Sequence, residues 1–556
     1  MKKHLSFLYL LPLCFLCLAL RAQTDPILRH LPPDAGKVYR IDLASLLSKG
    51  NLSDFLNSLP DKPANSQPVI DIVKDPSAGG VDIHQPIFIA TTSPSGLDSP
   101  TYTSIFIPLA DSASFITGVN KFYPGIRIIH LTGKGRTAGK EKTGIAWNNQ
   151  LAVITIVKPP VSLAFNFQDS AVAMTPAPKK SPSPKTRHPA PVIHYEVLAA
   201  KRSLAALRGY DHSFFLTDTI FQSGLSGQAD FLAISLGGMQ MPGMIKSMMS
   251  KTVNLSSLMD HSKKPGRYNI TSLQFEPGKI SISSKTFLKA DEAAVVAKFD
   301  TRPLNADLIA RFPPDRLLGV AALHFDPSVI SDILAKYKSR AKVDSMLAKA
   351  GLTLDDVLGV FKGDFMLAAL APDKGMADTI AKKPDFYFIT TLNNPAALLK
   401  VVLKLKSHQP PPSPDDSTAG DQRMDTTNLI PRRGMFARTS TAFSFQDNIL
   451  VVGRNKQLTD GYFKMTAQGN NQLFSPRMQN NPFNLVVDIK VVKSFLHAIT
   501  TDTAAKTQKL FTILDKFDRV ITAGGAVDGN WLKTDCEIDF NDKSKNSLQS
   551  LIELVH

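Results

Sequence analysis

Cysteine is almost missing from this chain. Of its 3 cysteines, Cys14 and Cys17 fall within the first 22 residues, which leaves Cys536 alone in the rest. A single thiol excludes an intramolecular disulfide and a thiolate metal cluster within one chain. Long apolar runs are missing as well. Past residue 22 none reaches the ~18 residues that a membrane-spanning helix needs, so no transmembrane span is expected. The local signatures of common catalysts are missing too, since no HExxH, GxSxG or GxGxxG occurs. Helix-borne zinc hydrolysis, a nucleophile elbow and a dinucleotide fingerprint therefore lack their signals. The histidines are scattered, with no pair at i,i+2 or i,i+4.

What is present begins at the N-terminus. Lys2 and Lys3 precede an apolar run from Leu5 to Leu20 broken only by Ser6 and Pro12, and Ala22 precedes Gln23. A basic start, a short apolar core and a small closing residue read as a secretory signal peptide over residues 1–22, cleaved after Ala22. The chain is expected to be exported, to the periplasm or to the outer-membrane or extracellular face. A lipobox places a small residue before its cysteine. Here Leu13 precedes Cys14 and Leu16 precedes Cys17, so no lipid anchor is expected.

The formal net charge is +16, of which Lys2, Lys3 and Arg21 contribute three, with 43% hydrophobic and 20% charged residues. That balance is globular and not disordered. The basicity favours anionic surfaces such as phospholipid, lipopolysaccharide or acidic glycan, and it also serves solubility. Nucleic acid is not an expected partner: the chain is exported, and its charge is not paired with an aromatic ladder.

The chain reads as though written twice. LPPDAGKVYRIDLASLLSK at 31–49 stands beside FPPDRLLGVAALHFDPSVISDILAKY at 312–337. Each has Pro-Pro-Asp, an apolar strand, an Asp suited to cap a helix, then helical spacing; Asp42 and Asp326 are the caps, with Pro327 opening the second helix. Strand-then-helix blocks recur at SIFIPLAD, 104–111, and FYFITTLN, 386–393, the latter followed by Asn394. Hairpins follow at 144–155 and 442–453, where Asn148-Asn149 and Asp447-Asn448 suit the positive φ values of tight turns. DFLAISL at 230–236 matches NLVVDIK at 484–490, and each half closes on a polar hairpin, one turning at Pro277-Gly278 and the other at Asp528-Gly529. This order predicts an α+β fold of two tandem, internally duplicated domains, 23–300 and 301–556, of mainly antiparallel sheet with packed helices. The proline-rich stretches 175–191, bearing Lys179, Lys180, Lys185 and Arg187, and 407–422 are predicted to be flexible surface loops.

Several short patterns invite a chemical reading, and each has a simpler structural one. Gly224-Leu-Ser226-Gly227-Gln228 lacks the last glycine of a nucleophile elbow. Gly133 to Lys140 resembles a phosphate loop whose glycines lie one residue too far apart, and it precedes a strand where a helix is required. Asp355-Asp356 fits a helix start, with Thr353 capping and Asp356 three residues on. Met239, Met241, Met244, Met248 and Met249 have spacings that suit Cu(I), yet the matching stretch of the second copy offers Phe495, Leu496 and Ile499, so packing is expected. Trp147 and Trp531 are expected half-buried in hairpins, and either has the shape to stack on sugar. Asp followed by Ser or Thr at Asp111, Asp169, Asp218, Asp344, Asp378, Asp416, Asp425 and Asp502 is similar to the acceptor pattern of some bacterial O-glycosylation systems; caps and turns are the plainer account. Cys536 lies between Asp535 and Glu537, whose carboxylates would make it a poorer nucleophile.

Pro33-Asp34-Ala35 through Ile41-Asp42 to Ser45-Leu46-Leu47, directly after a signal peptide, resembles the opening of an uncharacterised family of secreted bacterial envelope proteins, a domain of unknown function. Gly351 to Leu358 and Gly363 to Leu370 resemble a segment of a related family. The resemblance implies an envelope location and supplies no activity, substrate or site residue. No catalytic, cofactor-binding or metal residue is therefore named, and no cofactor is expected. The sequence points to an exported, non-enzymatic envelope protein that binds or scaffolds an envelope protein, a glycan or an anionic surface. A hydrolase with dispersed catalytic residues and a carrier of lipid or another hydrophobic ligand are the alternatives.

Overall fold

The computed structural model describes residues 26–50, 79–92, 99–122, 127–130, 136–159, 194–236, 268–298, 304–372, 383–407, 442–465, 481–500 and 505–555, a few single residues apart. Residues 1–25, the stretches 175–191 and 408–422, and the methionine-rich segment lie outside the described residues. The chain divides into two compact units, Met1–Leu236 and Gly237–His556. Each is an antiparallel sheet with packed helices, so the α+β class read from the sequence is the one observed.

The N-terminal unit holds β1 Ala35–Ile41, β2 Ile87–Thr92, β3 Thr101–Pro108, β4 Arg127–His130, β5 Arg136–Lys140, β6 Thr143–Trp147, β7 Leu151–Lys158 and β8 Phe231–Leu236. They pair in the order β8-β1-β2-β3-β7-β6-β5-β4. Period-2 alternation places Val38, Phe88, Phe106, Val153 and Leu232 in the interior. On the same face Ser104 and Thr155 are buried cross-strand partners, satisfied by a mutual hydroxyl bond of 3.1 Å. Asp42 caps the helix Leu43–Gly50 by accepting from Ser45 N at 2.9 Å. Asp111 caps Ser112–Phe122 in the same way. Trp147 is fully buried against Phe115 and Val119, which removes it as a sugar platform.

The C-terminal unit holds β9 Tyr268–Glu276, β10 Lys279–Phe287, β11 Leu317–His324, β12 Phe361–Leu370, β13 Asp385–Leu392, β14 Ala442–Gln446, β15 Ile449–Gly453, β16 Phe483–Asp488, β17 Phe517–Asp528 and β18 Trp531–Phe540. Their order is β14-β15-β13-β12-β11-β16-β17-β18-β10-β9. The run β16-β11-β12-β13-β15-β14 repeats, strand for strand, the order β8-β1-β2-β3-β7-β6 of the other unit. The core gathers Phe312, Val320, Met366, Tyr387, Ile389 and Tyr462 on one face of this sheet. The boundary between units differs from the expected one near residue 300. Hairpin β9–β10, expected to close the first half, pairs through β10 along the length of β18, from Lys279↔Asp539 to Phe287↔Trp531.

The two hairpin turns differ. Asp447 and Asn448 adopt φ of 50° and 61°, as a two-residue hairpin turn requires. Asn148-Asn149 does not. There the Asn148 side chain accepts from Gln150 N and Leu151 N, both at 2.8 Å, so the asparagine closes the turn through its amide oxygen.

Candidate functional site

The fold brings together titratable groups that the sequence kept apart. At the end of β11, His324 Nδ1 donates to Asp364 Oδ1 of β12 at 2.6 Å, and Thr391 of β13 donates to Asp364 Oδ2 at 2.9 Å. His324 and Asp364 are direct cross-strand partners, and all three side chains are buried. Burial pushes the Asp364 carboxyl up, but the hydrogen bonds from His324 and Thr391 outweigh it and hold the group below its ordinary value. Beside it β12 bulges at Gly363, whose φ is +125°; a Cβ there would stand 2.3 Å from the Phe325 carbonyl oxygen. The cluster therefore fastens three strands where the sheet is irregular.

Two further clusters do comparable work. In the N-terminal unit, buried Asp230 accepts from Lys49 Nζ at 2.7 and 2.8 Å and from the Ser45 hydroxyl, which ties the first helix to β8. In the C-terminal unit, buried Asp385 pairs with Arg454 at 2.7 Å. Burial raises the Asp385 carboxyl above its usual range, against the pull of Arg454 and Arg316. Among the described residues no group of three or more His, Cys, Asp or Glu is placed to hold a metal ion, and no helix is long and apolar enough to cross a membrane.

His30 completes the set. It is buried, donates from Nδ1 to the Ala206 carbonyl at 2.8 Å and accepts at Nε2 from Arg29 at 3.0 Å. Burial lowers its pKa, with the Arg29 charge adding to the effect and the Ala206 bond opposing it. The unfolded chain therefore takes up the proton first, and stability falls as pH drops below ~6.5, the ordinary histidine value. Thermal melts between pH 7.5 and 5 are expected to show a steeper loss in the wild type than in His30→Gln. Equal slopes would remove His30 from the acid response.

The patterns singled out in the sequence resolve as follows. Thr353 accepts from Asp356 N, and Asp356 accepts from Thr353 N at 2.8 Å, so this is a capping box; Asp355 pairs with Arg340 at 2.6 Å. Residues 136–140 of the phosphate-loop-like stretch form β5, between β4 and β6. Gly224 lies in the helix Thr219–Leu225, and Ser226 is outside the described residues. Asp111 and Asp218 accept from backbone N–H groups two or three residues on, as caps do, whereas Asp344 lies inside the helix Arg340–Ala348 and accepts from Leu354 N; the other aspartates of that pattern lie outside the described residues. Cys536 is half-buried between Thr522 and Ile282, and Trp531 meets Phe287 edge-on at 5.1 Å.

One surface was not named from the sequence. β12 and β13 are apolar on both faces. Met366, Ala368, Tyr387 and Ile389 point into the core, while Phe365, Leu367, Phe386 and Phe388 point the other way. Register sets Leu367 opposite Phe388, and Phe365 opposite Leu323 of β11. The helix Pro395–Ser407 crosses part of this outer face, packing Leu398 and Val401 with Phe443, Leu450 and Val452. The rest is bare: Leu323 is 43% exposed, Leu367 46%, Phe386 52% and Phe445 48%. On the outside of the helix Leu399 is 38% and Leu403 61% exposed. Each such side chain forgoes on the order of 1 kcal/mol of transfer free energy that a covering partner would recover. The signal that carried this was FYFITTL, a strand apolar at both parities, which is the pattern of a strand covered on both sides.

No protein-family model matches the chain, and no curated protein does. Among solved structures it is similar to TP0453. Crystal form IV of that protein shares 9% identity over 50% of this chain and 87% of that one, with a TM-score of 0.26. Crystal form III shares 8% over 50% and 86%, also with a TM-score of 0.26.

Proposed function

We propose that this chain is an exported, non-enzymatic cell-envelope protein with a binding or scaffolding role, built by tandem duplication. The observation that carries the reading is the bare apolar strip on the C-terminal unit, around Leu367 and Phe386. A sheet face of that character marks an interaction site. The basic, apolar and small-residue order of residues 1–22 supports export. The shared strand order of the two units supports duplication. The buried His324–Asp364–Thr391, Asp230–Lys49 and Asp385–Arg454 groups are accounted for as fasteners between elements, which supports a structural role for them.

The test is made in cells. A photo-crosslinking side chain placed at Leu367 is expected to yield a covalent adduct in the envelope fraction, on a protein that begins at Gln23. The same side chain at exposed Lys456, which belongs to another surface, is expected to yield none. A chain retained in the cytoplasm with Met1 in place, or equal adduct formation at the two positions, would refute the reading.

A further inference from the structure

We infer that the apolar strip of the C-terminal unit seats on a bilayer surface that contains anionic phospholipid. This deepens the binding role above and rests on it.

The geometry joins the bare strand face to the bare side of the helix. β13 ends at Leu392 and the helix begins at Pro395. Ala397, Leu398 and Val401 pack with Leu450 and Val452, so the helix returns over the face that β13 left. Leu403 stands ~12 Å along it at 1.5 Å per residue. Phe388 lies ~13 Å back along the strand at 3.3 Å per residue. Leu403 and Phe388 therefore reach about the same level of the unit, with Phe386 two residues further along the strand. Lys404 Nζ donates to Gly351 O at 2.7 Å, which fastens this helix to the chain just past the helix Arg340–Ala348, where Met346 is 60% exposed.

The charge around these side chains has one sign to spare. Lys383 precedes Phe386 by three residues. Lys400 lies between Leu399 and Leu403, and Lys342 and Lys349 lie on either side of Met346 in sequence. All four lysines are exposed, and among the described residues none makes an ion pair, whereas the acids nearby are engaged: Asp355 by Arg340, and Asp356 by the Thr353 cap, with the Lys404 and Lys400 charges acting on it from further off. Apolar side chains bordered by lysines suit the headgroup boundary of an anionic leaflet. The lysine stems lie along the apolar surface, the ammonium groups meet phosphates, and the leucines and phenylalanines enter the acyl edge. A second copy of the chain fits less well, because each mature copy brings a charge of +13, the +16 of the full chain less Lys2, Lys3 and Arg21. A soluble acidic glycan would meet the lysines and leave the leucines in water.

The experiment uses the mature chain and vesicles of phosphatidylcholine, with or without phosphatidylglycerol. Co-sedimentation is expected with the anionic vesicles and to weaken as salt is raised. Each lysine at an anionic leaflet is worth roughly a fivefold gain in partitioning, so Lys383→Gln with Lys400→Gln is expected to lower binding roughly 25-fold. Leu403→Asp is expected to lower it at least tenfold with the melting temperature unchanged, as befits an exposed site. Leu510→Asp, also at an exposed leucine, is expected to leave binding intact. Equal binding to neutral vesicles, or full binding by Leu403→Asp, overturns the inference. Concentration-dependent self-association without vesicle binding also overturns it and assigns the strip to a second copy. A crosslinked envelope protein at Leu367 with no vesicle binding overturns the lipid partner and keeps the binding role. The absence of both removes the two together.

Discussion

Replacing Arg454 by methionine is expected to cost the C-terminal unit about 3 kcal/mol at neutral pH. Asp385 opens β13 with its side chain only 3% exposed, and Arg454 is its ion-pair partner. Removing one member of a buried pair leaves the other charge without compensation, which costs ~3–5 kcal/mol. The lower end applies, because Arg454 is itself 26% exposed and the Arg316 charge remains. The pH dependence separates charge from packing. Burial already raises the Asp385 carboxyl, and loss of Arg454 raises it further. A group whose folded pKa is raised contributes stability that is complete below its unfolded pKa of ~3.9 and is lost as pH rises through the folded value. The deficit of Arg454→Met is therefore expected to be large at pH 7 and to shrink toward pH 4. Urea denaturation followed by Trp531 fluorescence reads this, and Arg454→Met with Asp385→Asn is expected to recover most of the loss. An equal deficit at both pH values would mean that the arginine stem, and not its charge, holds β13 to β15.

Local order was legible in the sequence, and sidedness was not. Asp42, Asp111, Asp326 and Asn394 each accept from the backbone of the helix they precede, because capping depends on residues two or three apart. The same holds for Asp447-Asn448 and for the Thr353 box. The strands of each unit fall on apolar blocks that the sequence marks out. Which neighbour β10 takes depends on residues some 250 positions away, and no local signal encodes that. Polar clusters such as His324–Asp364–Thr391 likewise assemble from three strands and have no spacing to read. The apolar strip was visible only as an excess. FYFITTL carries apolar residues at both parities, which announces two covered faces. Composition does not say that one of the covers is partial. The same limit applies to Trp147: hairpin placement implied half-burial, whereas the helix Ser112–Phe122 covers it with Phe115 and Val119.

The N-terminal unit is expected to lose about 3 kcal/mol or more on Gly144→Val, the upper end for an overpacked interior site. Gly144 lies in β6, directly beneath the helix Tyr195–Arg208. A Cβ at this position would stand 2.1 Å from Ala200 N and 2.3 Å from the Ala199 carbonyl carbon. Both are backbone atoms, so no rotamer change relieves the clash. The helix must retreat by on the order of 1 Å to reach ordinary contact. Its buried face is built for close approach, with Ala199, Ala200, Ser203 and Ala206 as the inward residues. Retreat also breaks the 2.9 Å bond from the Ser203 hydroxyl to the Gly144 carbonyl, worth ~1 kcal/mol. The chain's 2 tryptophans fall one to each unit, so Trp531→Phe leaves Trp147, three residues from Gly144, as the reporter. In that background Gly144→Val is expected to move the Trp147 transition to lower denaturant with an unchanged slope. Ala200→Gly is not expected to rescue it, because the clash is with the N and Cα of residue 200, which glycine keeps. An unmoved transition, or rescue by Ala200→Gly, would show that the helix does not depend on a missing side chain at residue 144 for its seat on the sheet.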